Sequence, residues 1–173
     1  LCFTINLDAV GNMPCNPAIG GTGKGHLVRE IDALGGEMAK AADAACIQYR
    51  MLNRGKCPAV WSLRAQADRR RYQEVCKHTL ELQPNLWVKQ GEIVDILTDQ
   101  AGAVSPVVTE TRATYQVKAA IIPSGTYLKG PTIVGPVARD SGPAGMAAAP
   151  SLSARLERLV VRPRPFQTGT PPT

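Results

Sequence analysis

An α/β fold with a small mixed β insertion is predicted, and three observations predict it. Strand-type runs at Leu1–Leu7 and Cys46–Asn53 alternate with helix-spaced apolar runs at His26–Lys40 and Ala65–Leu82. A glycine-rich stretch, with Gly20, Gly21, Gly23 and Gly25, leads directly into the first helical run. A string of short β-type pieces fills the region from Leu86 to Val117, as a meander inserted in an α/β domain would.

Leu1–Leu7, LCFTINL, is apolar and carries β-branched Thr4 and Ile5; Asn6 and Asp8 end it. In His26–Lys40, Leu27, Ile31, Leu34 and Met38 follow helical spacing, with Gly35-Gly36 as an interruption or kink. Cys46–Asn53 reads as a short strand, and Arg54 to Pro58 as a turn. Ala65–Leu82 is the clearest helix: Tyr72, Val75, Cys76 and Leu80 share a face, and Pro84 bars continuation. Leu86–Gln90, Glu92–Thr98, Val104–Thr109 and Thr114–Val117 read as strands, with Ala101-Gly102 as a turn. Ala119–Ile122 reads as a buried strand that runs into Pro123-Ser124-Gly125-Thr126. From Lys129 onward glycine and proline recur, Leu152–Val160 allows a short helix, and Pro163–Thr173 is a proline-rich, exposed tail.

The chain has 173 residues, 44% hydrophobic and 20% charged, which fits one globular domain with a real core. No apolar run reaches the roughly 20 residues of a membrane helix, and no basic segment leads into an apolar leader core. The first residue is Leu1, so an internal piece of a longer chain is expected. The cysteines Cys2, Cys15, Cys46, Cys57 and Cys76 are odd in number, and no CxxC pair suggests zinc or a redox disulfide. Reduced thiols in a cytoplasmic protein, with no bound metal, are the simplest account. A net charge of +6 weakly favours a polyanionic partner.

The stretch from Asn12 to Asp43 holds the most chemistry. Cys15 stands in a turn bounded by Pro14 and Pro17, and the glycine cluster around Lys24 follows. Glycines admit positive φ and close backbone approach, and amides gathered at a helix start attract anions. The stretch is therefore a candidate anion cradle carrying a thiol, or a glycine turn that only caps a helix. It is not a Walker A loop: Ala18 stands where the first glycine belongs, and Gly25 where the hydroxyl belongs. It is not a dinucleotide GxGxxG either, since Lys24-Gly25-His26 follows Gly21-Thr22-Gly23. His26, at the helix start, is more often structural than an acid–base group. From Arg50 to Lys77 there are eight Lys or Arg against two acids. Arg64, Arg69, Arg70 and Arg71 are candidate phosphate contacts, or simply a solvated face.

The wording of several stretches goes further than their spacing. CNPAIGGTGKGHLVREIDALGGEMAKAAD, IQYRMLNRGKCPAVWSLRAQADRRRY, QPNLWVKQGEIVDIL, SGTYLKG, SGPAGM and QTGTPP together resemble the glucose-inhibited division protein A family, also called the MnmG family. The resemblance covers essentially the whole chain. It implies a Rossmann-like FAD-binding domain of the glutathione-reductase type. Residues 1–173 would be a single partial domain, lacking the GxGxxG strand–turn–helix before it and the helical domain after it. It also implies an activity: with FAD, NADH and methylenetetrahydrofolate, the family modifies the wobble uridine of certain tRNAs. The GTPase subunit MnmE is the implied partner, and the full-length protein would be a homodimer.

The resemblance assigns Cys15 a catalytic role. It gives the flavin Asn16, Gly20, Gly21, Gly23 and Lys24 from the first loop, Ile93 at the adenine side, and Ser124, Gly125 and Thr126 near the ring. The chain departs from the family at Cys57, usually glycine, and at Gln167, usually lysine. By itself the 173-residue chain is expected neither to retain FAD nor to be active. Two rival readings are a folate-dependent tRNA methyltransferase relative and an inactive basic fragment or nucleic-acid-binding module. QADRRRY and QTGTPP favour the longer modification enzyme over the methyltransferase.

Overall fold

The computed structural model describes residues 1–14, 16–142 and 145–159. The chain packs as two compact units, Leu1–Gln90 and Gly91–Thr173. The fold is mixed α/β, with one parallel strand pair and several antiparallel ones among the described residues.

In the first unit, β1 (Cys2–Thr4) pairs in parallel with β5 (Val88–Gln90). The strand expected over Leu1–Leu7 stops early. The Asn6 side chain accepts a hydrogen bond from the Asp8 amide and starts a 3-10 turn at Leu7–Ala9. A three-stranded antiparallel sheet follows, in the order β2 (Ala18–Gly20), β4 (Ser62–Ala67), β3 (Cys46–Leu52). Between β2 and β3 run α1 (Lys24–Ala33) and α2 (Met38–Ala45). The break between these helices is a Schellman motif. The Gly36 amide donates to the Ile31 carbonyl at 2.9 Å and the Gly35 amide to the Asp32 carbonyl at 2.8 Å. Gly35 has φ +84, and a Cβ on Gly36 would fall 2.4 Å from the Ile31 side chain. The two glycines therefore end α1 rather than kink it.

The helix expected from Ala65 begins four residues later. Ser62–Ala67 is the central strand β4, and α3 spans Arg69–Leu82. Asp68 caps α3, its Oδ1 accepting from the Arg71 amide at 2.9 Å. The helix propensity of Ala65, Gln66 and Ala67 loses here to pairing with strands on both sides. The core of this unit is built from small residues. Ala41, Ala42 and Ala45 of α2 meet Ala67 and Tyr72, with Met13, Ile19, Val75 and Cys76 packed around them.

In the second unit, β6 (Ile93–Thr98), β7 (Val104–Thr109) and β8 (Thr114–Tyr115) form the expected antiparallel meander. Asp99 shapes the first turn, its carboxylate accepting from the Ala101 and Ala103 amides at 2.9 Å. Helix α4 (Pro150–Arg158) places Leu152 and Leu156 against Ile96 and Val107. Arg155 fastens it: its Nε donates to the Ile96 carbonyl at 3.2 Å and lies 2.6 Å from Asp95 Oδ1. That buried carboxylate oxygen is held by the ion pair, without a well-aligned hydrogen bond.

A hairpin unforeseen in the sequence, β9 (Pro131–Val134) and β10 (Val137–Asp140), is exposed throughout. The strand expected at Ala119–Ile122 is not formed, and Ile121 is 91% exposed. An apolar run reads as a buried strand, but it needs a neighbour to complete its ladder. Val160, Gln167 and the rest of the proline-rich tail lie outside the described residues.

Candidate functional site

Strand β2 delivers the chain into the glycine turn, and β4 sets how closely. Gly20 has φ +89, and a Cβ there would meet the Leu63 carbonyl oxygen at 2.5 Å. The Gly21 amide donates to that same oxygen at 2.8 Å. The Gly21 carbonyl then accepts from the amides of Lys24 at 3.2 Å and Gly25 at 2.9 Å, which starts α1. Gly23, at φ +74, caps the helix with nothing within 4 Å of its Cβ position. Lys24 is exposed. Asn53, itself at φ 62, ties the turn down: its Nδ2 donates to Thr22 Oγ1 at 3.0 Å and to the Val60 carbonyl at 3.1 Å. Asn tolerates the left-handed region, so the Asn53-Arg54-Gly55 wording carried a signal for this anchor that sequence reasoning passed over.

Cys15 lies outside the described residues, but the chain on both sides of it is anchored. Upstream, the Asn12 side chain accepts from Arg69, whose Nε donates at 3.1 Å and whose Nη2 also contacts it. Downstream, the Pro17 carbonyl accepts from the Ala67 amide at 2.8 Å, and the carbonyl of exposed Asn16 accepts from the Ala18 amide at 2.7 Å. Asn12 is thus anchored by the start of α3, and Pro17 by β4.

A cavity of about 150 Å³ lies among α1, α2 and the sheet. Ile19, Leu63 and Ala65 give it apolar walls, while His26, Arg29, Asp43 and Tyr49 bring polar groups. The Tyr49 hydroxyl donates to Asp43, and that bond, with some desolvation, holds the phenol well above its usual range. His26 and Arg29 are exposed. Tyr49 is a second residue that sequence reasoning did not single out.

Of the four arginines read as phosphate contacts, Arg64 stands directly opposite Gly20 in the sheet. Arg69 is committed to Asn12. Arg70 and Arg71 are exposed and share Glu74, at 3.8 and 3.5 Å. Such surface pairs are weak, so both guanidinium groups stay available.

In the second unit, Ile93 opens β6. Ser124, Gly125 and Thr126 form a turn closed by the Tyr127 amide on the Ser124 carbonyl at 3.1 Å. Ile93 and Leu128, just after the turn, pack on the same cluster of Ile96, Val107, Leu152 and Leu156. Gly125 has φ +55 with open space at its Cβ position. No group of three or more metal-type side chains occurs among the described residues. No helix among them is long and apolar enough to cross a membrane.

The family model described as glucose inhibited division protein A matches residues 1–173. The chain is 56% identical over 171 residues to the tRNA uridine 5-carboxymethylaminomethyl modification enzyme MnmG of Caldicellulosiruptor saccharolyticus, covering 99% of this chain and 27% of that protein. It is 51% identical over 172 residues to the enzyme of the same name from Bacillus subtilis, with the same coverage. It therefore spans about a quarter of the length of these relatives. Among solved structures, Aquifex aeolicus GidA superposes with a TM-score of 0.82 at 46% identity, over 90% of this chain and 26% of that one. The GidA-related protein from Thermus thermophilus, at 18% identity and TM-score 0.58, is matched over 90% of this chain and 55% of its own length, and shares the fold.

Proposed function

This chain belongs to the glucose inhibited division protein A family, and on that premise we propose that the complete protein is an FAD-dependent enzyme modifying the wobble uridine of tRNA. The reading is carried by 56% identity, over 99% of the chain, to a tRNA uridine 5-carboxymethylaminomethyl modification enzyme. The product is a carboxymethylaminomethyl or aminomethyl group on the uracil ring. The co-substrates are methylenetetrahydrofolate and NADH. The protein works in the cytoplasm as a homodimer together with the GTPase MnmE.

Gly23 and Gly125 both present open backbone at positive φ, where a ligand can approach without meeting a side chain. In the first unit the FAD contacts of this reading are Asn16, Gly20, Gly21, Gly23 and Lys24; in the second unit they are Ile93, Ser124, Gly125 and Thr126. When bound, FAD supplies two-electron transfer between nicotinamide and the one-carbon unit. Cys15 is the nucleophile of this reading, close in sequence to the glycine cluster and Lys24: its thiolate adds to an electrophilic uracil carbon or holds a one-carbon adduct. Arg64, Arg69, Arg70 and Arg71 contribute to the tRNA surface.

The test is reconstitution. The complete protein is combined with MnmE, NADH, methylenetetrahydrofolate, a nitrogen donor and unmodified tRNA, and the tRNA is digested to nucleosides. The modified uridine is expected by mass spectrometry. Unmodified uridine under all conditions, from folded and flavin-loaded protein, would overturn the proposal.

A further inference from the structure

We propose that the face of the β2–β4–β3 sheet that carries Arg50 and Arg64 is an RNA-backbone contact surface built on this cross-strand arginine pair. The proposal rests on the tRNA reading above and deepens it: it extends the contact from Arg64 across the strand to Arg50 and to the glutamine rung beside them. Arg50 pairs with Arg64, and Gln48 with Gln66. Directly opposite residues in an antiparallel sheet project from one face, and residues two apart along a strand share that face. The four side chains therefore form two successive rungs. On the far side of β4, Gly20 stands opposite Arg64 and Ala18 opposite Gln66. The third strand thus leaves the platform flat beside the cations. The other face, carrying Tyr49 and Ala65, is the one turned to the cavity under α1 and α2.

The charge is unbalanced. Like charges directly opposite each other destabilise a sheet. Yet neither Arg50 nor Arg64 enters an ion pair among the described residues. The hydrogen bond of Arg64 is a long one to Gln66 Oε1, at 3.4 Å. Arg50 and Gln48 are exposed, and Arg64 and Gln66 half-buried. Two planar guanidinium forks with no carboxylate suit bidentate phosphate oxygens. The two glutamine amides beside them offer both donors and acceptors to base edges or a ribose hydroxyl. Arg54 and Lys56 extend the positive charge where β3 leaves the sheet. An extended, flat surface with several cations fits a run of phosphodiesters better than a single small anion.

The experiment uses the complete, flavin-loaded protein and measures tRNA affinity against salt concentration. The double variant Arg50→Ala/Arg64→Ala should bind tRNA at least about tenfold more weakly, with a shallower salt slope by roughly one per contact removed. A second variant guards against misfolding. Gln66→Glu sets a carboxylate beside Arg64 on the same face, so the melting temperature should hold or rise while tRNA affinity falls. Both variants should keep wild-type affinity for NADH. If wild type binds tRNA and both variants match its affinity and slope, the surface is refuted and the tRNA reading stands. If NADH binding falls while tRNA binding is kept, the anion is a dinucleotide and the proposal fails. If wild type itself does not bind tRNA, the underlying reading fails and the surface with it.

Discussion

Gly20 and Gly23 stand in one turn at similar positive φ, +89 and +74, yet they answer to different constraints. At Gly20 a methyl would also strike the Leu63 carbonyl at 2.5 Å, and that backbone atom cannot move without breaking the β2–β4 ladder. Gly20→Ala should therefore cost on the order of 3 kcal/mol, and Gly23→Ala about 1 kcal/mol from backbone strain alone. Thermal melts of the two variants test this; equal losses would contradict the close approach. Cys76 and Tyr72 form a second residue-scale test. Burial raises both groups, Cys76 above its ordinary 9.0 and Tyr72 from 10.0 to about 12. Their folded values exceed their unfolded ones. The stability tied to their neutral forms is thus complete below about pH 9 and declines as pH rises toward 12. Melting temperature should fall over that window and fall less in Cys76→Ala. At pH 8 an alkylating reagent should modify exposed Cys57 well before Cys76.

At the scale of elements, helix α3 is the sharpest case. Its first turn carries Arg69, Arg70 and Arg71 against the positive end of the helix dipole, a placement that helix stability alone disfavours. Asp68 compensates as the cap, and Asp68→Ala should cost about 1 kcal/mol, with Asp68→Asn nearly neutral. Replacing Arg70 and Arg71 by Glu should leave the melting temperature close to wild type but weaken tRNA binding and flatten its salt dependence. Unchanged affinity would reduce this turn to a solvated face. Local chemistry decided what the sequence revealed. The end of α1 was legible because Gly35 and Gly36 make their own hydrogen bonds back to Asp32 and Ile31. The meander was legible because β-rich runs and turn residues alternate over a short span. Strand β4 was not, because RAQA carries helix propensity and becomes a strand only between β2 and β3. Ala119–Ile122 misled for the converse reason: it has a strand's composition and no ladder.

For the whole molecule, a net charge of +6 becomes specific only through placement. The fold sets Arg64 beside Gly20, and Arg69 against Asn12, three residues ahead of Cys15. The sequence named the glycine turn and these arginines as separate stretches. Their adjacency was not readable, because it depends on β4 crossing between β2 and β3 and delivering the chain into α3. Tyr49 escaped notice for the same reason, since its role exists only through a partner out of phase in sequence, Asp43, whereas Asn53 had a turn signal but its partner Thr22 lies far away in sequence. Under the proposed function, Cys15, which stands in sequence between the anchored Asn12 and Pro17, is the reacting thiol of the complete protein. The most direct measurement is Cys15→Ser in the complete protein, with flavin absorbance and modified uridine quantified on the same preparation. A full flavin spectrum with modified uridine reduced by at least about a hundredfold is the predicted result. Undiminished modification, or loss of flavin together with activity, would contradict it.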